Sequence, residues 1–179
     1  IAIAPQVLLR FEADIVAPTA EMRSVTLEDG TRVRLSPESA IDIAFDHDER
    51  RVRLIHGNAF FEVTPDTARP FRVIAGNTAA TVLGTAFEVR RREDGVTVAV
   101  RHGRVGVDDD STLPPTSESL HAGDWVRLDW HGKTVHGSTN PGEIAAWLHG
   151  RMIARNRPTS EIVDALRRYH SGMILVQAD

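Results

Sequence analysis

Residues 52–73 read VRLIHGNAFFEVTPDTARPFRV, and their strand-like alternation of apolar and polar residues changes phase in the middle. Apolar residues fall at even positions as far as Leu54 and at odd positions from Ala59 onward. Because a strand points every second side chain to the same face, the core-facing set must change parity close to Gly57. A chain with this pattern cannot continue there as one straight, half-buried strand.

Residues 98–107 read VAVRHGRVGV and repeat this change of phase around Gly103. A glycine at such a point in a strand typically marks a bulge or a corner. We therefore predict that Gly57 and Gly103 are corners of two related β units, where strands bend from one sheet into another. The expected fold class is mainly β, with short strands stacked in a sandwich or in a short solenoid-like domain.

Many other segments alternate with period two, which predicts half-buried strands separated by turns. We regard Phe61, Phe71 and Phe87 as structural residues, because burying a Phe side chain contributes roughly 1.5–3 kcal/mol. Gly84 is expected to be a packing or bulge position in a strand. The predicted core is made of apolar strand residues: Leu35, Ile43, Leu54, Phe61, Phe71, Val73, Leu83, Phe87, Val89 and Val100.

The tripeptide Glu-Asp-Gly occurs twice, and parity predicts two different turns. Residues 28–30 are expected to form a three-residue loop with its glycine in the left-handed conformation. Asp94 and Gly95 are expected to form a two-residue turn that pairs Val89 with Val100.

Two further connections follow from the same reasoning. His131 and Gly132 are expected to form a two-residue turn that pairs Leu128 with Val135. The polar residues 108–119 are expected to form a long loop.

The last forty residues predict a helical tail. Asn140 as N-cap, Pro141 at the first helical position and Gly150 as the stop delimit a first helix. A second helix is expected to be capped by Thr159 or Ser160 and to end at Gly172. Apolar residues 152–153 and 173–176 are expected to be strands, which makes this tail part of a β-α-β subdomain.

The expected domain boundaries follow from these patterns. Residues 1–23 are a linker, residues 24–138 an all-β domain, and residues 139–179 a helix followed by the partial β-α-β subdomain. An unpaired apolar strand edge is a template for a strand of another chain. The candidate partner-binding residues are therefore Met173, Ile174, Leu175 and Val176. Self-association of two copies through the same strand is the other expectation.

Composition narrows the function. The 179 residues carry a net charge of -4, so the chain lacks the basic balance of a nucleic-acid-binding domain. The run 90–92 of three arginines has acidic neighbours and is interpreted as a solvated strand end. There is no cysteine, which excludes disulfides, thiolate metal sites and cysteine nucleophiles. No apolar run approaches the roughly 20 residues of a membrane-spanning helix.

The pattern of titratable residues does not indicate catalysis. The eight histidines show no pair at metal-binding spacing, and there is no GxSxG or phosphate-binding loop. We expect no metal, no cofactor and no catalytic residue, and we expect Glu62 to face solvent. The alternative is a small-ligand or carbohydrate-binding β domain that uses Trp125, Trp130 and Trp147. However, Trp130 alternates with core residues and Trp147 lies on the apolar face of the first predicted helix, so we expect both in the core.

Several motifs together resemble one known family. The most specific are GNAFFEV at residues 57–63, RPF at 69–71 and LGTAFEV at 83–89. With the flanking strands and LHAGDWVRLD at 120–129, their order and spacing resemble the periplasmic region of FecR-type anti-sigma regulators. The resemblance covers residues 24–179, and the tail is similar to the short signalling domains of secretins and TonB-dependent receptors.

This resemblance implies a non-enzymatic signalling module in the periplasm, within a single-pass inner-membrane protein. Such a module binds the signalling domain of a TonB-dependent outer-membrane receptor. It relays receptor occupancy to an extracytoplasmic-function (ECF) sigma factor, often for iron uptake. The resemblance also implies a membrane helix before the linker 1–23, and a cytoplasmic domain that contacts the sigma factor.

Overall fold

The computed structural model describes residues 13–111, 114–153 and 159–170. These residues form thirteen strands: β1 (Ile15–Ala17), β2 (Arg23–Thr26), β3 (Arg32–Leu35), β4 (Ser39–Phe45), β5 (Arg50–Glu62), β6 (Phe71–Ala75), β7 (Thr78–Val82), β8 (Ala86–Arg92), β9 (Gly95–His102), β10 (Arg104–Asp109), β11 (Thr116–His121), β12 (Asp124–Asp129) and β13 (Thr134–Ser138). Two short 3₁₀ turns, Pro141–Glu143 and Ala146–His149, and one helix, α1 (Thr159–Arg167), follow. The predicted mainly β fold is confirmed.

The strands form one curled sheet with two layers that share β5. Sheet A has the order β1-β4-β5-β6-β7-β10-β11, and sheet B has the order β2-β3-β5-β8-β9-β12-β13. Neighbouring strands are antiparallel except for the parallel pair β5 and β6. The inner faces of both layers contribute to one apolar core, so the arrangement is closer to the expected sandwich than to a solenoid.

Both phase changes coincide with passages between the layers. Strand β5 pairs in sheet A through residues 50–56 and in sheet B through residues 57–62, and Gly57 at this junction has φ +91°. The register with β4 skips Ile55, which shifts the parity by one residue. Strand β9 belongs to sheet B and β10 to sheet A, and Gly103 between them has φ +88°. The chain therefore crosses the two corners in opposite directions.

The core is centred on aromatic rings from both layers. The rings of Phe61 and Phe87 in sheet B stack with their centroids 5.3 Å apart, and Phe61 lies 5.8 Å from Phe71 of sheet A. The expectation that Leu83 is in the core is wrong, because its side chain is 48% exposed. Leu83 follows the end of β7 in a turn, where the alternation of a strand no longer applies.

The first predicted hairpin is confirmed and the second is displaced. Residues 28–30 form a three-residue loop between Leu27 and Thr31, with Gly30 at φ +83°. The turn between β8 and β9 consists of residues 93–94, not of Asp94 and Gly95, and Val89 pairs with Val98. A Cβ on Gly95 would lie 2.1 Å from the carbonyl oxygen of Leu128, so this glycine is needed where β12 approaches β9.

The predicted turn at His131 and Gly132 is also wrong by one residue. The loop comprises residues 130–132, because Asp129 pairs with Lys133 and its carboxylate accepts the amides of His131 and Lys133 at 2.9 and 2.8 Å. A shift of one residue turns a side chain to the other face of the sheet. Val135 consequently lies opposite Arg127 and is exposed.

The polar connection and the tail also differ from expectation. The loop predicted at 108–119 is shorter, since β10 extends to Asp109 and β11 begins at Thr116. The first predicted helix is two 3₁₀ turns, although Asn140 does accept the amide of Gly142 at 2.9 Å. Ala145 has φ +54°, which breaks the helical path between the turns.

The end of the tail is described in part. Residues 152–153 are not in a strand, contrary to the prediction. Helix α1 forms where the second helix was predicted. Gly172 and the strand predicted from Met173 to Val176 lie outside the described residues.

Candidate functional site

The outer face of sheet B carries charged side chains at regular spacing. Glu88, Arg90 and Arg92 alternate along β8, and all three point away from the core because Phe87 and Val89 point into it. Strand β5 places Phe60 beside Glu88 on this face. Phe60 is buried, so this face is covered and not solvated.

The segment 140–150 covers the outer face through one hydrogen bond to a buried acid. The indole Nε1–H of Trp147 donates to Oε1 of Glu88 at 2.6 Å, and Glu88 is 1% exposed. The other carboxylate oxygen lies 3.2 Å from Nη2 of Arg90. An acceptor on this buried carboxylate that lost its donor would be costly, so the indole hydrogen bond fixes the segment to β8.

A second attachment lies at the neighbouring strand β9. The guanidinium of Arg101 stacks on the ring of Phe60, with its carbon 4.5 Å from the ring centroid, and donates to the carbonyl oxygen of Ile144. Burial lowers the pKa of Arg101. Ile144 itself is 3% exposed, so an apolar residue anchors this end of the segment.

The end of α1 is attached to the loops beside β3 and β1. The carbonyl oxygen of Arg168 accepts the amide of Ala20 at 2.9 Å, and Tyr169 is hydrogen-bonded to Ser36. Burial raises the pKa of Tyr169 and lowers that of Arg168. Burial, followed by the charge of Arg168, also lowers the pKa of His56. The helix therefore ends close to the corner at Gly57.

These attachments enclose a cavity of about 310 Å³, which we call the outer-face groove. Its floor is formed by β5 and β8 of sheet B, one wall by residues 143–153 and the other by α1. Its lining includes the side chains of Asn58, Glu88, Arg90, Arg92, Ile153 and Leu166. The volume is at the lower end of the range for ligand-binding pockets, roughly 300–1,000 Å³.

Sequence reasoning missed this groove, and the interpretation of residues 90–92 as a solvated strand end is wrong. Arg90, Arg91 and Arg92 are all partly buried, and Nη1 of Arg91 donates to the carbonyl oxygen of Leu54 at 3.2 Å. The signal in the sequence was that charged residues alternate along β8 with residues that point into the core. A second, covered face could not be inferred without knowing that the tail folds over it.

The expected solvent exposure of Glu62 is only partly correct. Its side chain is 29% exposed, and it accepts hydrogen bonds from Arg34 at 2.5 Å and from Arg32 at 3.3 Å. Glu62 thus joins β5 to β3 on the outer face of sheet B. The arrangement is a cross-strand ion pair of the kind that stabilises a sheet.

The structural residues singled out from the sequence do not gather at this groove. Phe61, Phe71 and Phe87 are in the core, and Gly57 and Gly103 are at the corners. Gly84 lies between β7 and β8, where an added Cβ would meet Pro65 at 3.0 Å. The candidate partner-binding residues Met173, Ile174, Leu175 and Val176 lie outside the described residues.

The tryptophans do not form a common sugar-binding platform. Trp130 packs over Gly76 and is 36% exposed, so its expected place in the core is wrong. Trp147 is not in the core either, because it is half-buried and lines the groove over the outer face of sheet B. Trp125 packs against Gly137. Each ring thus contacts a different part of the molecule.

The described residues contain neither a group of metal-binding side chains nor a membrane-spanning helix. Among residues 13–111, 114–153 and 159–170, no three His, Asp or Glu side chains are grouped so that they could hold a metal ion. No helix in this part of the chain is long and apolar enough to cross a membrane.

Comparison with known proteins gives two findings. The family model described as FecR protein matches residues 13–106. Two crystal structures of a protein from Parabacteroides distasonis, named "putative anti-sigma factor", are similar to this chain with a TM-score of 0.79 and 28% sequence identity. The similarity covers 87% of this chain and 73% of that one. A search of the curated proteins found no match.

Proposed function

This chain belongs to the FecR protein family, and from that premise we propose that it is the sensor part of an anti-sigma regulator. In this proposal it lies in the periplasm and binds the signalling domain of a TonB-dependent outer-membrane receptor. It relays receptor occupancy to an ECF sigma factor through a membrane helix and a cytoplasmic domain, without catalysing a reaction. The observation that carries the proposal is the similarity, over most of the chain, to the Parabacteroides protein named for an anti-sigma role.

The contacts at the outer face of sheet B support a signalling role. The segment 140–150 and α1 are joined to the β layers by a few specific contacts, chiefly Trp147 to Glu88 and Arg168 to Ala20. A partner that binds the tail would change the free energy of these contacts. A ligand shifts the equilibrium between two conformations only by the difference in its affinity for them. In this proposal, the groove is therefore where binding at the tail is coupled to the β layers.

A binding measurement tests the proposal directly. We expect the gene of a TonB-dependent receptor to lie beside the gene of this protein. The purified periplasmic region is titrated by calorimetry with the signalling domain of that receptor. The signalling domain of a receptor from a different gene cluster is the control. We expect saturable one-to-one binding to the first domain and none to the second.

A reporter experiment tests the relay in cells. The promoter controlled by the neighbouring ECF sigma factor drives a fluorescent protein, and the receptor's substrate is added or withheld. We expect deletion of this regulator to make the reporter independent of the substrate. A response that persists unchanged without the regulator, or an absence of receptor binding, would refute the proposed function.

A further inference from the structure

The floor of the outer-face groove contains buried polar atoms that no described residue satisfies. The acceptors are Oδ1 of Asn58 and Oε2 of Glu88, and the donors are Nε of Arg90 and Nη1 of Arg92. Oε2 of Glu88 is within ion-pair distance of Arg90 but outside hydrogen-bond geometry. Buried polar groups in folded proteins are nearly always hydrogen-bonded to protein or to water, so four such atoms on one floor are available to the polar groups of a ligand.

The charges around the groove are not balanced. Among the described residues, four arginines line it, namely residues 90, 92, 151 and 168, against two acids, Glu88 and Glu143. Glu88 is already engaged by Trp147 and Arg90, and Glu143 accepts the hydroxyl of Thr139 at 2.7 Å. The described part of the lining thus has a positive excess, in a chain whose net charge is -4.

The mouth of the groove is apolar and open to solvent. Leu166 on α1 is 40% exposed, and Met152 and Ile153 on the opposite wall are 40% and 39% exposed. Exposed apolar side chains that cluster beside a cavity, with charged residues around them, are typical of a protein-binding surface. The same side chains provide a pocket for an apolar anchor of the partner.

We infer that the outer-face groove binds an extended, acidic segment of the partner protein, with an apolar side chain next to an Asp or Glu. The main chain of such a segment supplies one N–H donor and one C=O acceptor per residue. Its N–H groups match the unpaired oxygens of Asn58 and Glu88, and its C=O groups match the unpaired N–H groups of Arg90 and Arg92. The carboxylate pairs with Arg92 and Arg151, and the apolar side chain packs between Leu166 and Ile153. This inference rests on the proposed function, because the partner is the receptor signalling domain.

The test compares charge changes inside and outside the groove. Leu166→Asp adds a negative charge and removes an apolar contact at the mouth, while Leu83→Asp makes the same change at a residue that is 48% exposed and does not line the groove. Arg151→Glu reverses a groove charge, while Arg51→Glu reverses a charge on sheet A. Affinity for the signalling domain is measured by calorimetry, and folding by circular dichroism.

We expect Leu166→Asp and Arg151→Glu each to weaken binding at least about tenfold, as changes at interface hot spots do, and the two controls to alter it less than about twofold. Ile153→Asp on the opposite wall is a second test if Leu166→Asp does not fold. If both groove variants bind the signalling domain with the affinity of the wild type, this inference is overturned and the proposed function is not. Failure of the wild-type chain to bind overturns the proposed function and the inference with it.

Discussion

At the scale of single residues, the most consequential side chain is one that sequence reasoning did not single out. Arg50 is fully buried at the start of β5. It pairs with Asp29 at 2.7 Å and donates to the carbonyl oxygens of Arg69 and Thr64, each at 2.9 Å. One guanidinium thereby joins the loop at Gly30 to the connection between β5 and β6.

The first prediction concerns this guanidinium. Arg50→Met leaves Asp29 as a buried charge without its partner, and we expect a loss of about 3–5 kcal/mol in the free energy of unfolding. Arg51→Met, on the same strand, removes an exposed ion pair with Glu49 and should cost less than about 1 kcal/mol. Urea unfolding of both variants measures the difference. Equal stabilities would show that the buried pair is dispensable.

The second prediction concerns pH. Burial opposes ionisation of Asp29, but hydrogen bonds from Thr31 and Arg50 outweigh it and lower its pKa below the ordinary 3.8. A carboxyl with a lowered folded-state pKa contributes stability that is complete above the unfolded-state pKa and is lost as the pH falls through the folded-state pKa.

We therefore expect wild type to exceed Asp29→Asn in stability most strongly near neutral pH, and the difference to shrink below about pH 4. Urea unfolding at a series of pH values measures it. Asp48→Asn, at an exposed position, is the control and should track wild type throughout. A difference that stays constant down to low pH would contradict the linkage to Asp29.

At the scale of elements, the corner in β5 depends on the conformation of Gly57 and on the space beside it. A Cβ at this position would lie 2.2 Å from Oγ and 2.7 Å from Cα of Ser39. Ser39 cannot move away freely, because its hydroxyl accepts the amide of Asn58 at 3.0 Å and contacts Ser36. Both the backbone angle and the packing exclude a side chain here.

The third prediction follows from this geometry. Gly57→Ala should destabilise the domain by more than the roughly 1–3 kcal/mol of a strained backbone conformation, because a clash adds to it. Gly106→Ala on β10 is the control, since its Cβ would come no closer than 3.7 Å to Thr81. Thermal unfolding of the two variants is the measurement. A Gly57→Ala chain as stable as the control would mean that β5 can turn without a glycine.

At the scale of the whole molecule, the tail and the β layers form one folded unit through the outer face of sheet B.

The fourth prediction is that Trp147→Phe weakens this attachment, because Oε1 of Glu88 loses its donor. An unsatisfied buried acceptor costs about 1–3 kcal/mol. Hydrogen exchange should accelerate in residues 141–150 while β5 and β8 stay protected. Trp130→Phe is the control for loss of an indole. Uniform acceleration over the whole chain would instead indicate global destabilisation.

The sequence alone determined most of the strands of the β layers, the corners and the loop at Gly30, because these depend on local alternation and on the backbone freedom of glycine. It also carried the resemblance to the family that the comparisons show. It did not determine the tail, where residues 152–153 are not in the predicted strand. Tertiary structure decided the rest. The side chain of Asp129 and the approach of β12 to Gly95 accompany turns that differ from the predicted ones by one residue. Only the change at Asp129 turned a predicted inward residue outward, namely Val135, whereas Val89, Val98 and Val100 stay buried. The groove, and the burial of Glu88 and Arg50, exist only because distant segments fold over β8 and β5, and the energy of a buried charge depends on partners that alternation cannot reveal.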